Sequence, residues 1–367
     1  MKHHLLETYE RDLPTLNAIR TEAVARLKLL LQDQALEVHR LSSRLKAPAS
    51  LGRKLNRPDR TYHQLNDVTD LIGTRIITYF EDTIEAIAAL IEREFDVDFE
   101  HSIDKRKTLD ASHFGYRSLH YICRLKASDS LRAYPFELQI RTILQHAWAE
   151  TEHDLGYKSE ASLPLEIRRR FSRVASLLEV ADAEFLSIRR FLEDYRASVS
   201  QRLQDPQASV GVDLVSLEQF LRGDEATAIE RQFAACIGVA LSDEIFYPDY
   251  LIRMLAAVDV SDIAELRQSL LGHSEDLQRF IKPYFEFTRR SWQFTGEDLG
   301  TFLRGYSLVF LAHYLLLKDN PLALVRLEKL TRFYQQIDYP HDEATARSVA
   351  RNLLETLSAE PASADQA

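Results

Sequence analysis

Residues 70–80, DLIGTRIITYF, constrain the fold more than any other stretch of this chain. The run is β-branched and apolar enough for a buried strand. It passes straight into DTIEAIAALIEREF (82–95), whose apolar positions recur at helical spacing, with Asp82 as the expected N-cap. A buried strand followed at once by an amphipathic helix calls for a sheet with a helix laid on it. VDFEHSIDKR, SLHYICRL and PFELQIRT add three strand-like runs between polar turns. A long helix over 8–40 precedes this set, and another over 142–155 follows it. The expected fold class is α/β (α+β), a mixed β-sheet flanked by helices within residues 1–200.

From Pro164 the pattern becomes helical, with charges on the outside of LPLEIRRRFSRVASLLEVADAEFLSIRRFLEDYRASV. QDPQASVGVD (204–213) reads as a linker. Apolar helical segments and short Gly, Pro or Asn turns then alternate over 214–356, the pattern of a separate all-α domain, and 357–367 reads as a disordered tail.

The formal net charge is -10, so the chain as a whole does not attract nucleic acid by bulk charge. Any polyanion must find a local patch. Residues 40–60, RLSSRLKAPASLGRKLNRPDR, set Arg40, Arg44, Lys46, Arg53, Lys54, Arg57 and Arg60 against one acid, Asp59. Cys123 and Cys236 lack the paired spacing of a zinc or redox site and read as buried small hydrophobes in a reducing cytoplasm. MKHHLLETYERDL has no apolar core of a signal peptide, and no apolar run approaches membrane-spanning length, so no membrane partner is expected.

Strands at 70–80 and 136–142, if neighbours, would bring Asp70 and Glu137 to one end of the sheet. Two carboxylates so placed suit a hard cation such as Mg²⁺. They equally suit strand-end acids paired with Arg75 and Arg141. Arg44, Lys46 and Lys54 around a turn at Ser50 have the chemistry to surround a polyphosphate. In HFGYRSLHY (113–121), Gly115 allows a turn and Tyr116 offers a flat face to a base, or else packs on the sheet. His120 and His146 read either as groups orienting a substrate or as satisfied core histidines.

RLKAPASLGRK, DLIGTRI, GYRSLH, ELQIRT and HAWAETEHDLGYK, in this order over residues 40–158, resemble the synthetase domain of the RelA/SpoT alarmone synthetases. The resemblance implies a nucleotidyltransferase-like fold and transfer of the β,γ-pyrophosphate of ATP to a ribose 3′-hydroxyl. It implies that Arg44, Lys46, Ser50 and Lys54 contact ATP, and that Asp70 and Glu137 hold Mg²⁺. Glu137 also becomes the candidate activator of the hydroxyl, with Gln139 and Arg141 as orienting and phosphate-facing partners. Tyr116 takes the place of a guanine-stacking tyrosine, and Arg117, His120 and His146 join it on the acceptor side.

One position departs from the pattern. Ser112 stands where relatives acting on GTP or GDP have a lysine, which leaves the acceptor open between a guanine nucleotide, the first expectation, and the 3′ end of tRNA, as in toxic small alarmone synthetases. In the second case the C-terminal half would restrain the enzyme. A non-catalytic nucleotide or RNA sensor is the third reading, and the whole residue set counts against it. His153–Asp154 spells the HD of the hydrolases found in long relatives but lies inside the ETEHDLGYK segment, so product hydrolysis is not expected. The helical half has four candidate roles: covering the active site, homo-oligomerisation, receiving a protein ligand, or serving as a scaffold that only stabilises the catalytic half.

Overall fold

The computed structural model describes residues 2–58, 60–104, 118–126, 129–155, 164–292, 300–320, 322–338, 340 and 342–358. Two units divide the chain, Met1–Phe191 and Leu192–Ala367. The first contains α1 (Lys2–Asp33), β1 (Arg40–Leu45), α2 (Pro48–Leu55), β2 (Ile72–Thr78), α3 (Glu81–Glu94) and β3 (Asp96–Asp104). It continues through β4 (Leu119–Arg124), the short α4 (Asp129–Arg132), β5 (Phe136–Thr142) and α5 (Ile143–Leu155) into α6 (Leu165–Arg202), within which the division falls.

The five strands form one mixed sheet in the order β1-β2-β5-β4-β3. β2 and β5 run parallel, and the other neighbours are antiparallel. Alternation along each strand sorts the side chains onto two faces. Ile72 and Ile76 of β2, Phe136, Leu138 and Ile140 of β5, and Leu119, Tyr121 and Cys123 of β4 enter one core. There they meet Ile84, Ile87 and Ile91 of α3 and Leu16, Ile19 and Leu27 of α1. The intervening positions, Gly73 and Arg75, Glu137, Gln139 and Arg141, and His120, therefore share the other face.

Several boundaries differ from those expected. The first helix runs from Lys2 to Asp33, and residues 40–45 form a strand, paired from Arg40↔Ile77 to Leu45↔Ile72. The seven cations of the 40–60 stretch hid its period of two, in which Leu41 and Leu45 pack on the core while Arg40, Ser42 and Arg44 face away. Pro48 begins α2, because its fixed φ suits the first helical position. Ser50 is thus helical, not in a turn. Phe80 is the N-cap of α3, and Asp82 lies in the first turn, where its carboxylate accepts from Arg189 of α6 and complements the helix dipole.

The second unit contains α7 (Leu214–Arg222), α8 (Asp224–Cys236), β6 (Ala240–Ile245), α9 (Pro248–Ala256), α10 (Ile263–Gly272) and α11 (Ser274–Trp292). Next come β7 (Thr301–Arg304), α12 (Tyr306–Leu317), α13 (Ala323–Gln336) and α14 (Glu343–Ser358). Its core gathers Phe233, Phe287, Phe302, Phe310 and Phe333 with many leucines. It is predominantly helical, but β6 and β7 pair in parallel, which the all-α expectation missed. β6 reads ALSDEI, too polar and exposed to announce a strand, and β7 has four residues. Cys123 is buried as expected. Cys236 is exposed, since it ends α8 beyond that helix's core-facing positions. No helix among the described residues is long and apolar enough to cross a membrane.

Candidate active site on the polar face of the sheet

Asp70 lies in the turn just before β2, not within the strand as the sequence suggested. β1 passes antiparallel to β2, and the ladder continues one residue beyond the strand through Lys46 N–H to the Leu71 carbonyl, 2.8 Å. That bond sets Lys46 beside Asp70, and its Nζ donates to Asp70 Oδ2 at 2.7 Å. α2 turns the chain back, so that Lys54 in its last turn reaches Asp70 Oδ1 at 2.8 Å. Burial opposes ionisation of Asp70, but the two ammonium groups outweigh it and hold the carboxyl below its ordinary range. Ser50 sits in the first turn of α2, where its Oγ accepts from Arg53 Nη2 at 2.9 Å. Arg44 is exposed at the end of β1, opposite Gly73.

Glu137 is opposite Gly73 across the parallel β2–β5 pair, at the same end of the sheet as Asp70. Its Oε1 lies 3.1 Å from His120 Nδ1, and its Oε2 accepts from Gln139 Nε2 at 3.0 Å. Arg141 Nη2 lies 3.3 Å from His120 Nε2. A guanidinium only donates, so Nε2 is the acceptor and the His120 proton sits on Nδ1, aimed at Glu137. Burial pushes the Glu137 pKa up, as does the Asp70 charge, yet His120 prevails and the carboxyl stays below the ordinary glutamate value.

A third group lies further along the same face. Arg75 Nη1 donates to Glu150 Oε1 of α5 at 2.7 Å and approaches His146 Nδ1 at 3.4 Å. Burial and the Arg75 charge lower the His146 pKa, which keeps the ring neutral as an acceptor at neutral pH. Ser42, Ser43, Arg44, Gly73, Thr74, Arg75, Glu137 and Gln139 line one cleft in this face. Ser42, Ser43 and the cleft-lining role of Arg75 were not read from the sequence. The alternation of Arg40, Ser42 and Arg44 was the available signal, once that segment is taken as a strand. Tyr116 and Arg117 lie outside the described residues, as does Ser112.

The donor set fits a hard divalent cation. Asp70 and Glu137 offer carboxylate oxygens, and Gln139 Oε1 is a buried acceptor with no hydrogen-bond donor. Among the described residues no cluster of three or more His, Cys, Asp or Glu could cage a metal. Two carboxylates are the usual protein share for Mg²⁺, which takes its remaining ligands from water and phosphate.

Comparison with known proteins gives the same region. Residues 43–162 match the family model described as the region found in RelA / SpoT proteins. GTP pyrophosphokinase YjbM of Bacillus subtilis is 26% identical over 176 residues, spanning 47% of this chain and 81% of that protein. GTP pyrophosphokinase YwaC of the same organism is 27% identical over 158 residues, 42% of this chain and 74% of the relative. The crystal structure of small alarmone synthetase 1 from Bacillus subtilis aligns over 51% of this chain and 99% of its own, with 25% identity and a TM-score of 0.44.

Proposed function

Since residues 43–162 belong to the RelA/SpoT family, we propose that this protein is a pyrophosphokinase that moves the β,γ-pyrophosphate of ATP to the 3′-hydroxyl of GTP or GDP. One observation supports the reading above others: Asp70 with its two lysines and Glu137 with its histidine stand at one end of one sheet face. The names of the two relatives point to the same chemistry.

Transfer of a pyrophosphoryl group asks the protein for positioning and charge, with little covalent work. Arg44, Lys46 and Lys54 hold the donor polyphosphate, and Ser50 lies beside them on α2. Asp70 and Glu137, with Gln139 adjoining, would hold Mg²⁺, which would spread the charge of the phosphates. Binding of the donor complex releases both lysines from Asp70, so they turn from a carboxylate to phosphate oxygens without loss of charge pairing. Glu137 accepts the 3′-hydroxyl proton. Ionised at neutral pH and fixed by His120 and Gln139, it is oriented for that role. Arg141 sets the His120 tautomer. His120 and His146 lie toward the acceptor side, which Tyr116 and Arg117 complete. The protein works in the cytoplasm on these soluble nucleotides.

The test is incubation of purified protein with γ-labelled ATP, Mg²⁺ and a panel of GDP, GTP, ATP and tRNA. Label in a 3′-pyrophosphorylated guanine nucleotide is the expected result. Label confined to tRNA would move the acceptor to an RNA 3′ end, and no transfer to any acceptor would overturn the catalytic assignment.

A further inference from the structure

Tyr9 lies in α1, ahead of the segment that matches the family model, and none of the catalytic roles above involves it. It is 1% exposed, among the largest buried side chains in the protein. Its hydroxyl donates to the main-chain carbonyl of Lys46 at 2.5 Å. Lys46 is therefore pinned on both sides, by its N–H to the Leu71 carbonyl and by its C=O from Tyr9. From this anchored backbone its side chain reaches Asp70 Oδ2 at 2.7 Å. One helical turn earlier Leu5 is buried in the same core as Leu51 and Leu55 of α2, and Lys2 Nζ donates to the Asn56 side chain at the end of α2. The first turns of α1 thus touch both segments that carry the Asp70-bound lysines.

We infer that Tyr9 is a positioning residue for ATP: its hydroxyl fixes the backbone at Lys46 and so the ammonium group that meets the donor polyphosphate. The inference rests on the pyrophosphokinase reading. A buried phenol needs a partner, and a purely structural tyrosine would find one in any nearby carbonyl. Here the carbonyl is that of a residue at the mouth of the site, and a buried carbonyl left without its donor shifts or recruits water.

Tyr9→Phe removes the hydroxyl and keeps the ring in the core. The expected result is a rise of about five- to tenfold in KM for ATP, the size of one lost hydrogen bond, with kcat and the acceptor KM changed less than twofold. Calorimetric titration with a non-hydrolysable ATP analogue and Mg²⁺ should show the same weakening without any turnover. Ile19→Val, in the same helix and core but remote from Lys46, is the control. It should lower the thermal midpoint and leave both KM values unchanged. Equal ATP affinity in Tyr9→Phe and wild type, or a parallel loss for ATP and acceptor in both variants, would overturn the inference. Failure of the pyrophosphokinase reading would look different, since wild type would then transfer no label to any acceptor while the analogue titrations still compare the two proteins.

Discussion

At the scale of single residues, the site is governed by which hydrogen bonds compete with burial. Glu137 is a partly buried acid beside another acid, conditions that ordinarily favour the protonated form. The Nδ1–H of His120, held in that tautomer by Arg141, reverses the outcome. Glu137→Gln keeps the shape but can neither carry charge nor accept the proton, and transfer should fall by about 10³-fold or more, with an unchanged circular dichroism spectrum. His120→Ala leaves burial and the Asp70 charge opposed only by the Gln139 hydrogen bond, so the Glu137 pKa should rise. The acid limb of the kcat/KM profile then moves to higher pH, and a limb that stays in place would show that His120 does not control the carboxylate. Much of this group was legible in the sequence, because ELQIRT and SLHY are alternating strands in which every second residue is polar. The cross-strand bonds were not, since register decides that His120 meets Gln139 and Ile122 meets Glu137.

Elements differ in how openly they declare themselves. β2 is apolar and β-branched, β5 alternates apolar with polar residues, and α3 has a clean helical period, so the centre of the sheet follows from the residues alone. β1 does not, because an edge strand with one wet face needs few apolar residues, and its cations suggested a solvated run. β6 and β7 escaped for a related reason: two short strands held between helices need little hydrophobic signal of their own. Where β7 meets α12, Gly305 has φ +91° and its N–H donates to Glu230 Oε1 at 2.6 Å. A methyl group there would strike the Leu251 side chain in a conformation that side chains disfavour. Gly305→Ala should therefore cost about 3 kcal/mol, read as a lower urea midpoint for the second unit. An unchanged midpoint would mean that the turn can rearrange.

Over the whole molecule, stability in the second unit has a concealed dependence on pH. Burial raises Glu230 to about 7 and lowers His313 to about 4. Between the ordinary glutamate value of 4.5 and about 7, the folded state holds a proton on Glu230 that the unfolded chain releases, so stability falls as pH rises. His313 acts in the opposite sense between about 4 and its ordinary 6.5, where only the unfolded chain is protonated, so stability rises with pH. The two slopes offset each other across the shared window, each at most about 1.4 kcal/mol per pH unit. Glu230→Gln should expose the His313 slope, seen as a thermal midpoint that climbs from pH 4.5 to 6.5. A flat profile in that variant would refute the cancellation.

The 38-residue helix α6 serves both units without a break. Asp182 accepts from Thr142 in the first, while Val199 is embedded in the core of the second. The place of a cut within this rod decides what each half keeps: a stop before Asp182 strips the sheet of its brace, a start after Val199 robs the other core of a side chain, and only a cut between the two leaves each unit its own anchor.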